Sequence, residues 1–268
     1  MRLAIRHETH YDYDTPLAYS AQRLHLWPVD FAAQKTISWT IAAPGIERAL
    51  AYTDGFGNRV HMITFGEVEG PVSIVAEGVV EVSDVAGLVK GVHCAAPEAV
   101  FLRQTRSTTA TASLRNLAEK QFAGRSVLEG LHGLMAEIHA RVAYEIGATH
   151  AHTTAAEAFA DGRGVCQDHA HIFAAAARSA GVPARYVTGY LVTGQGASST
   201  AAHAWAEALV PDLGWVGFDP ANAKCPTDNY VRVAAGLDAT GVAPIRGSRR
   251  GGAAERMRVE VRVEIAQQ

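Results

Sequence analysis

The ten residues GRGVCQDHAH, 162–171, set one cysteine directly after a glycine-bearing turn and follow it with an acid and two histidines. Three readings of Cys166 are open at the outset: a nucleophile, a metal ligand, or a small buried sulfur. Helical geometry narrows them. At ~100° per residue, a helix beginning near Cys166 puts Cys166, Ala170, Phe173, Ala174 and Ala177 on one face, with His169 at its edge. His171 falls nearly opposite, towards Gln167 and Arg178, and is expected in solvent. The two histidines then cannot reach one ion from a regular helix, and zinc takes three or four convergent nitrogen or sulfur ligands. The chain has no CxxC and no HExxH, so no metal site is expected.

The position of the cysteine favours the nucleophile. In the first turn of a helix a thiol faces unpaired N–H groups and the positive end of the macrodipole, which favour the reactive thiolate. The Cys166 N–H would face a developing oxyanion, and the glycines at 162 and 164 allow close backbone approach. Downstream, AHAWAEALVPDLGWVGFDPAN (202–222) adds partners. His203 opens a predicted strand after a loop, where a general base can reach a cleft. Asp219 ends the next short strand, held out of the helical region by Pro220. Neighbouring antiparallel strands can hold an imidazole and a carboxylate in hydrogen-bond contact, fixing the tautomer. Either residue alone is commonly structural. The ordered set of cysteine, histidine and aspartate carries the signal.

The rest of the chain supplies a scaffold of two kinds. LAIRHETH, KTISWTI, RVHMITF and VSIVAEGVVEV are short, β-branched and roughly period two. YTDGFGN (52–58) supplies a turn between the second and third. Residues 1–90 are therefore expected as a small β-sandwich or folded sheet. After GVHCAAPEA (91–99), a linker, the period becomes helical, and 91–125 is taken as linker and helix, marked by Leu114, Leu117 and Ala118. Ser126 with Glu129 forms a capping box ahead of a stripe of Leu128, Leu131, Met135, Ile138 and Val142. Thr154 with Glu157 caps a shorter helix, and the cysteine helix should stop at Gly181-Val182-Pro183. Strands return at ARYVTGYLV, HAWAEALV and GWVGFD, the first two joined by TGQGASST (193–200), and RMRVEVRVEI forms a last strand. The fold class is α+β: a catalytic core over 126–230 with the cysteine helix packed on an antiparallel sheet, then a tail over 231–268.

Composition excludes several functions. The 268 residues carry a net charge of −3 with 19% charged and 48% hydrophobic residues, which gives no electrostatic case for nucleic acid or a membrane surface. The basic run RGSRR (246–250) is expected as a solvated loop. MRLAIRHETHYDYD has no apolar core of a signal peptide, and no apolar run approaches ~18 residues. Three widely spaced cysteines, Cys94, Cys166 and Cys225, make no disulfide framework and suggest a reducing compartment, most simply the cytoplasm.

The segments GVCQDHAHIFAAAARSAGVPARYVTGYL, AHAWAEALVP and GWVGFDPAN together resemble the core of the transglutaminase-like superfamily, the papain-related Cys-His-Asp enzymes. THYDYDTPLAYSAQRLHLWP and DGFGN resemble the N-terminal region of its bacterial members, and YVRVAAGLDATGVAPIRGSRRGG resembles their tail. The resemblance implies Cys166 as nucleophile, His203 as general base and acid, and Asp219 as the orienting acid. Two positions depart from the pattern: Ala221 stands where a threonine is expected after FDP, and Cys225 is not part of the motif.

The implied chemistry is acyl transfer through a thioester, without a cofactor. The second oxyanion donor is sought upstream in GATHAHTT (147–154), with His152 and Thr153 as candidates beside Gln167. Trp205 and Trp215 are expected to pack the core or the cleft wall. Three functions compete: a cysteine peptidase or amidase acting on a peptide or protein amide, a transglutaminase using a primary amine as acceptor, and a binding module with a degenerate site. No calcium-binding or amine-recognition feature is visible, which favours hydrolysis. Oligomeric state is not encoded in any of these features. If Cys166 is the nucleophile, iodoacetamide at neutral pH should label it much faster than Cys94 or Cys225, read by peptide mass spectrometry. Equal rates at the three sulfurs would count against that role.

Overall fold

The structure, a computed structural model, describes residues 1–192, 202–252 and 254–266. The linking segment TGQGASST lies outside the described residues. Along the chain run β1 (Arg2–Tyr13), β2 (Leu17–Trp27), β3 (Gln34–Ala42), β4 (Leu50–Thr53), β5 (Arg59–Phe65), β6 (Val72–Val82) and β7 (Leu88–Val89). There follow α1 (Ala112–Phe122), α2 (Val127–Arg141), β8 (Ala143–Tyr144), α3 (Ala155–Asp161), β9 (Arg163–Gly164) and α4 (Cys166–Ser179). The chain returns to strands with β10 (Ala184–Leu191), β11 (His203–Val210), β12 (Gly214–Phe218), β13 (Tyr230–Gly236), β14 (Ile245–Gly251) and β15 (Glu255–Ile265). The class is α+β with antiparallel sheets, as expected.

Two four-stranded sheets, ordered β15-β1-β6-β3 and β14-β2-β5-β4, share one apolar interior. Period-two burial accounts for it: Leu3 and Ile5 of β1 meet Leu24 and Leu26 of β2, Ile63 of β5 and Ile74 of β6. One outer strand of each sheet comes from late in the chain. β15 pairs with β1 from Leu3↔Ile265 to Tyr13↔Glu255, and β14 pairs with β2 from Ile245↔Leu24 onward. RGSRR is thus strand rather than loop, although its side chains are exposed as expected. Gly247 permits the approach, since a Cβ there would sit 2.2 Å from the Ala21 carbonyl oxygen. β2 itself carried no strand signal, because Ser20 and Gln22 occupy inward positions and blur the alternation.

A five-stranded sheet, β13-β10-β11-β12-β7, supports the helices. It continues through Gly236, so residues 231–236, expected as the start of the tail, form an edge strand of this sheet. One face packs against α4 and α2 through Ala184, Ala206, Ala208 and Phe218, and α1 packs on those two helices. The capping boxes form as read: the Ser126 Oγ accepts from the Glu129 N–H at 3.3 Å, and the Thr154 Oγ1 from that of Glu157 at 3.3 Å. Among the described residues no helix is long and apolar enough to cross a membrane.

The outer edge of β13 is covered by side chains. The Gln34 amide donates to the Arg232 carbonyl at 2.8 Å and accepts from its N–H at 2.7 Å. The Asn58 amide does the same with Ala235, both bonds at 2.8 Å. Two amides therefore act as a substitute strand, and the DGFGN turn exists to present one of them. Asp54 fixes that turn by accepting from the Phe56 and Asn58 N–H groups and the Asn58 side chain. Gly57 has φ +86, and a Cβ there would strike the His93 carbonyl oxygen at 2.1 Å. Asn58→Ala strands a buried donor and acceptor of Ala235, and should cost on the order of 2–4 kcal/mol. A urea midpoint unchanged from wild type would show that the edge is satisfied without Asn58.

Candidate active site

The turn before α4 is shaped by one carboxylate. Asp168 is fully buried, and its Oδ2 accepts from the Val165 N–H at 2.8 Å and the Thr149 hydroxyl at 2.6 Å. This caps the helix and straps the 147–154 loop across its start. Gly164 has no side chain because a Cβ would press on Asp168 at 2.8 Å. Cys166 is thereby fixed as the first residue of α4, partly accessible. The pairing of β8 with β9, parallel and only two residues long, carries Tyr144 to the same spot.

His203 opens β11 opposite Gly189 of β10 and is almost buried. Its Nε2–H donates to Asp219 Oδ2 at 2.7 Å. That leaves Nδ1 for the Cys166 sulfur, which lies within hydrogen-bonding reach of the ring. Asp219 is fully buried and surrounded by donors: its Oδ2 also accepts from the Tyr230 hydroxyl and the Asn222 amide, both at 2.7 Å. Its Oδ1 accepts from the Ala221 and Asn222 N–H groups at 3.0 and 3.3 Å. Trp205 stacks beside the imidazole with ring centres 6.2 Å apart, and Tyr230 meets it edge-on at 5.9 Å. Trp215 lies against the Arg185 guanidinium at 4.0 Å. Trp205 thus packs beside His203, whereas Trp215 packs against Arg185 and Phe101.

The electrostatics follow from these contacts. Burial alone would lower the His203 pKa, but the Asp219 carboxylate and the Cys166 sulfur outweigh it and raise the value to about 9. Burial works against the Asp219 charge as well, yet His203, Asn222 and Tyr230 hold its pKa below the ordinary carboxylate value. Burial, reinforced by the sulfur's charge, pushes the Tyr144 phenol up to about 12, so it remains a hydrogen-bond donor. Burial also raises the Cys225 thiol.

The remaining sequence expectations divide. His152 and Gln167, the latter next to Cys166 in the chain, line a groove of about 320 Å3 together with Tyr186, Thr188, Val242 and Arg246. The Gln167 amide donates to the Ala151 carbonyl at 3.4 Å. Thr153 is buried, and its Oγ1 accepts from the His150 N–H within its own loop. Tyr144, which carried no motif, stands at the sulfur instead; its signal is the short parallel pairing, invisible in a single sequence. His171 corrects an expectation. It is buried, not solvated, and its Nε2 accepts from the Ala239 N–H at 3.0 Å, with burial lowering its pKa to about 4. The helical-wheel argument fails because α4 is enclosed on every side from Asp168 to Arg178. His169 likewise spends both ring nitrogens on carbonyls, those of Val165 and Val142, at 2.9 and 3.0 Å.

The comparisons with known proteins bear on this geometry. The transglutaminase-like superfamily matches residues 115–220, and the bacterial transglutaminase-like N-terminal region matches 3–81. The chain belongs to the transglutaminase-like superfamily. An uncharacterized protein of Mycobacterium leprae is 26% identical over 92% of this chain and 92% of its own length. Another uncharacterized protein, from Mycobacterium tuberculosis, is 28% identical over 92% of this chain and 87% of its own. A crystal structure from Cytophaga hutchinsonii, described as a "putative cysteine protease", superposes with a TM-score of 0.74 at 23% identity, covering 97% of this chain and 90% of that one. That likeness extends the fold to nearly the whole length, both β regions included.

The raised His203 value lies above the free imidazole's ~6.5. The pairing with Asp219 therefore stabilises the fold fully below pH about 6.5, and that contribution is lost as pH rises through about 9. Histidine NMR should show His203 titrating near 9 and falling towards the free value in Asp219→Asn. An unchanged titration would place the raising charge elsewhere.

Proposed function

We propose that this protein is a cysteine-dependent amide hydrolase, a peptidase or amidase, working through Cys166, His203 and Asp219. The observation that carries the reading is His203, bonded to a buried carboxylate through Nε2 and left with Nδ1 for a cysteine on the first turn of a helix. The Cys166 thiol passes its proton to His203 Nδ1, and the sulfur attacks the carbonyl carbon of a peptide or protein amide, so that a C–S bond forms as the carbonyl π pair moves onto oxygen. The oxyanion meets the Cys166 N–H and, in this reading, the Tyr144 hydroxyl as second donor. His203 passes its Nδ1 proton to the leaving amine as the C–N bond breaks, and a thioester remains. Water, deprotonated by His203, then attacks the thioester, releasing a carboxylic acid and restoring the thiol. Asp219 keeps the tautomer and stabilises the imidazolium without taking the proton.

No cofactor enters this sequence, and the three cysteines are all free, in keeping with a reducing compartment such as the cytoplasm. A primary amine in place of water would give transglutaminase chemistry from the same thioester. Incubation with a peptide library, with and without a primary amine, read by mass spectrometry, separates the two. Hydrolysed amides with no amine adducts are expected; adducts alone would overturn hydrolysis, and no acyl chemistry at all would point to a degenerate site.

On any amide the wild type cleaves, Asp219→Asn should lower turnover by about 10⁴, since the amide can present an N–H to the imidazole and favour the wrong tautomer. Tyr144→Phe should lower kcat by about 10²–10³ with little change in thermal stability, the loss of one oxyanion donor. Near-wild-type turnover in either variant would remove that residue from the mechanism.

A further inference from the structure

On the face of the five-stranded sheet away from α4, three charged side chains are enclosed together. Arg185 of β10, Glu207 of β11 and Arg232 of β13 are each exposed by 2% or less. Glu207 Oε2 accepts from Arg185 Nε, and Glu207 Oε1 accepts from Arg232 Nε at 2.8 Å. The cluster therefore holds two guanidinium charges against one carboxylate, because arginine stays protonated in proteins. Arg185 Nη2 and Arg232 Nη1 are buried with no partner among the described residues. The Cys94 sulfur faces the Gly55 and Ala96 carbonyl oxygens at 3.6 and 3.7 Å. Asp219, beyond Tyr230, is already engaged by His203.

Arg232 and Glu207 line a partly open pocket with Ala33, Val82 and Gly87 on its N-terminal side and Trp205 and Tyr230 on the sheet. About 30 Å3 of it is open to a water-sized sphere, and one water needs ~10–15 Å3 on that measure. We propose that this cavity binds one small inorganic anion of halide size, held by the Arg232 guanidinium. A water could accept the orphaned N–H but would leave the excess buried positive charge offset only by the Trp215 ring against Arg185, with a desolvation cost remaining. An anion satisfies both, while an organic carboxylate is too large. Glu207 does not repel it decisively, since both its oxygens are already covered by the arginines. The site lies outside the catalytic groove and does not depend on the hydrolase reading.

The test uses the full chain. Crystals grown in sodium bromide should give an anomalous peak in the cavity within hydrogen-bonding distance of Arg232 Nη1. In solution, sodium bromide or chloride should raise the unfolding temperature saturably relative to sodium gluconate at equal ionic strength. Ala33→Leu, which fills the cavity from the N-terminal side and leaves both arginines in place, should abolish that difference. Arg232→Met should abolish it too, but if that variant does not fold, Ala33→Leu decides alone. A cavity holding only water in bromide crystals overturns the proposal. So does a bromide peak with no difference between the salts, which marks an adventitious ion only. A salt response that persists in Ala33→Leu is a bulk effect and overturns it equally.

Discussion

A carboxylate taken fully out of water must be surrounded by donors, and Asp219 is surrounded by five. The donors come from three places: the first residue of β11, the turn that follows β12, and the first residue of β13. They converge only if the 219–230 segment runs back across the ends of β11 and β10 before β13 pairs on the far side of β10. The sheet order β13-β10-β11-β12 and the orientation of His203 are thus two aspects of one electrostatic demand. Tyr230 joins both, with its hydroxyl on Asp219 and its ring against Trp205 and His203.

A second carboxylate does the same for Cys166. Asp168 caps α4 and holds Thr149, so the loop ahead of the helix cannot swing away from Cys166. The two acids organise opposite sides of the cleft, and neither needs to touch substrate to do so. The N-terminal β region contributes a different kind of support. Its Gln34 and Asn58 amides complete an edge of the five-stranded sheet, and the His7 imidazole bonds the Tyr190 hydroxyl at 3.0 Å. The apolar interior runs on from Leu3 and Ile74 into Tyr186 and Val231. A β region that shares its core in this way is a structural part of the sheet's support.

What the sequence disclosed was local. Ser126–Glu129 and Thr154–Glu157 announce helix starts because a cap is a contact over three residues. Cys166 could be placed on a first turn, and His203 and Asp219 at strand ends, because breakers and alternation bracket them. What stayed hidden depends on partners distant in the chain. Tyr144 reaches the sulfur only through the β8–β9 pairing, β14 becomes a strand only beside β2, and His171 is buried only because the chain around Ala239 covers it. β2 was missed for another reason: polar residues at inward positions cancel the periodicity that burial would otherwise imprint.

The pairing of β15 along the whole of β1 has a kinetic side. Residues 3–13 find one neighbour in β6, but their other edge stays open until residues 255–265 arrive. During synthesis the helices and the sheet that carry Cys166, His203 and Asp219 therefore leave the ribosome ahead of the strands that seal the two N-terminal sheets. Contacts of such sequence separation form late, after loop-closure entropy has been overcome. In the interval the nascent chain presents unpaired strand edges on β1 and β2, the type of surface on which chains join to one another. Successful folding of this protein thus depends on how long those two edges wait.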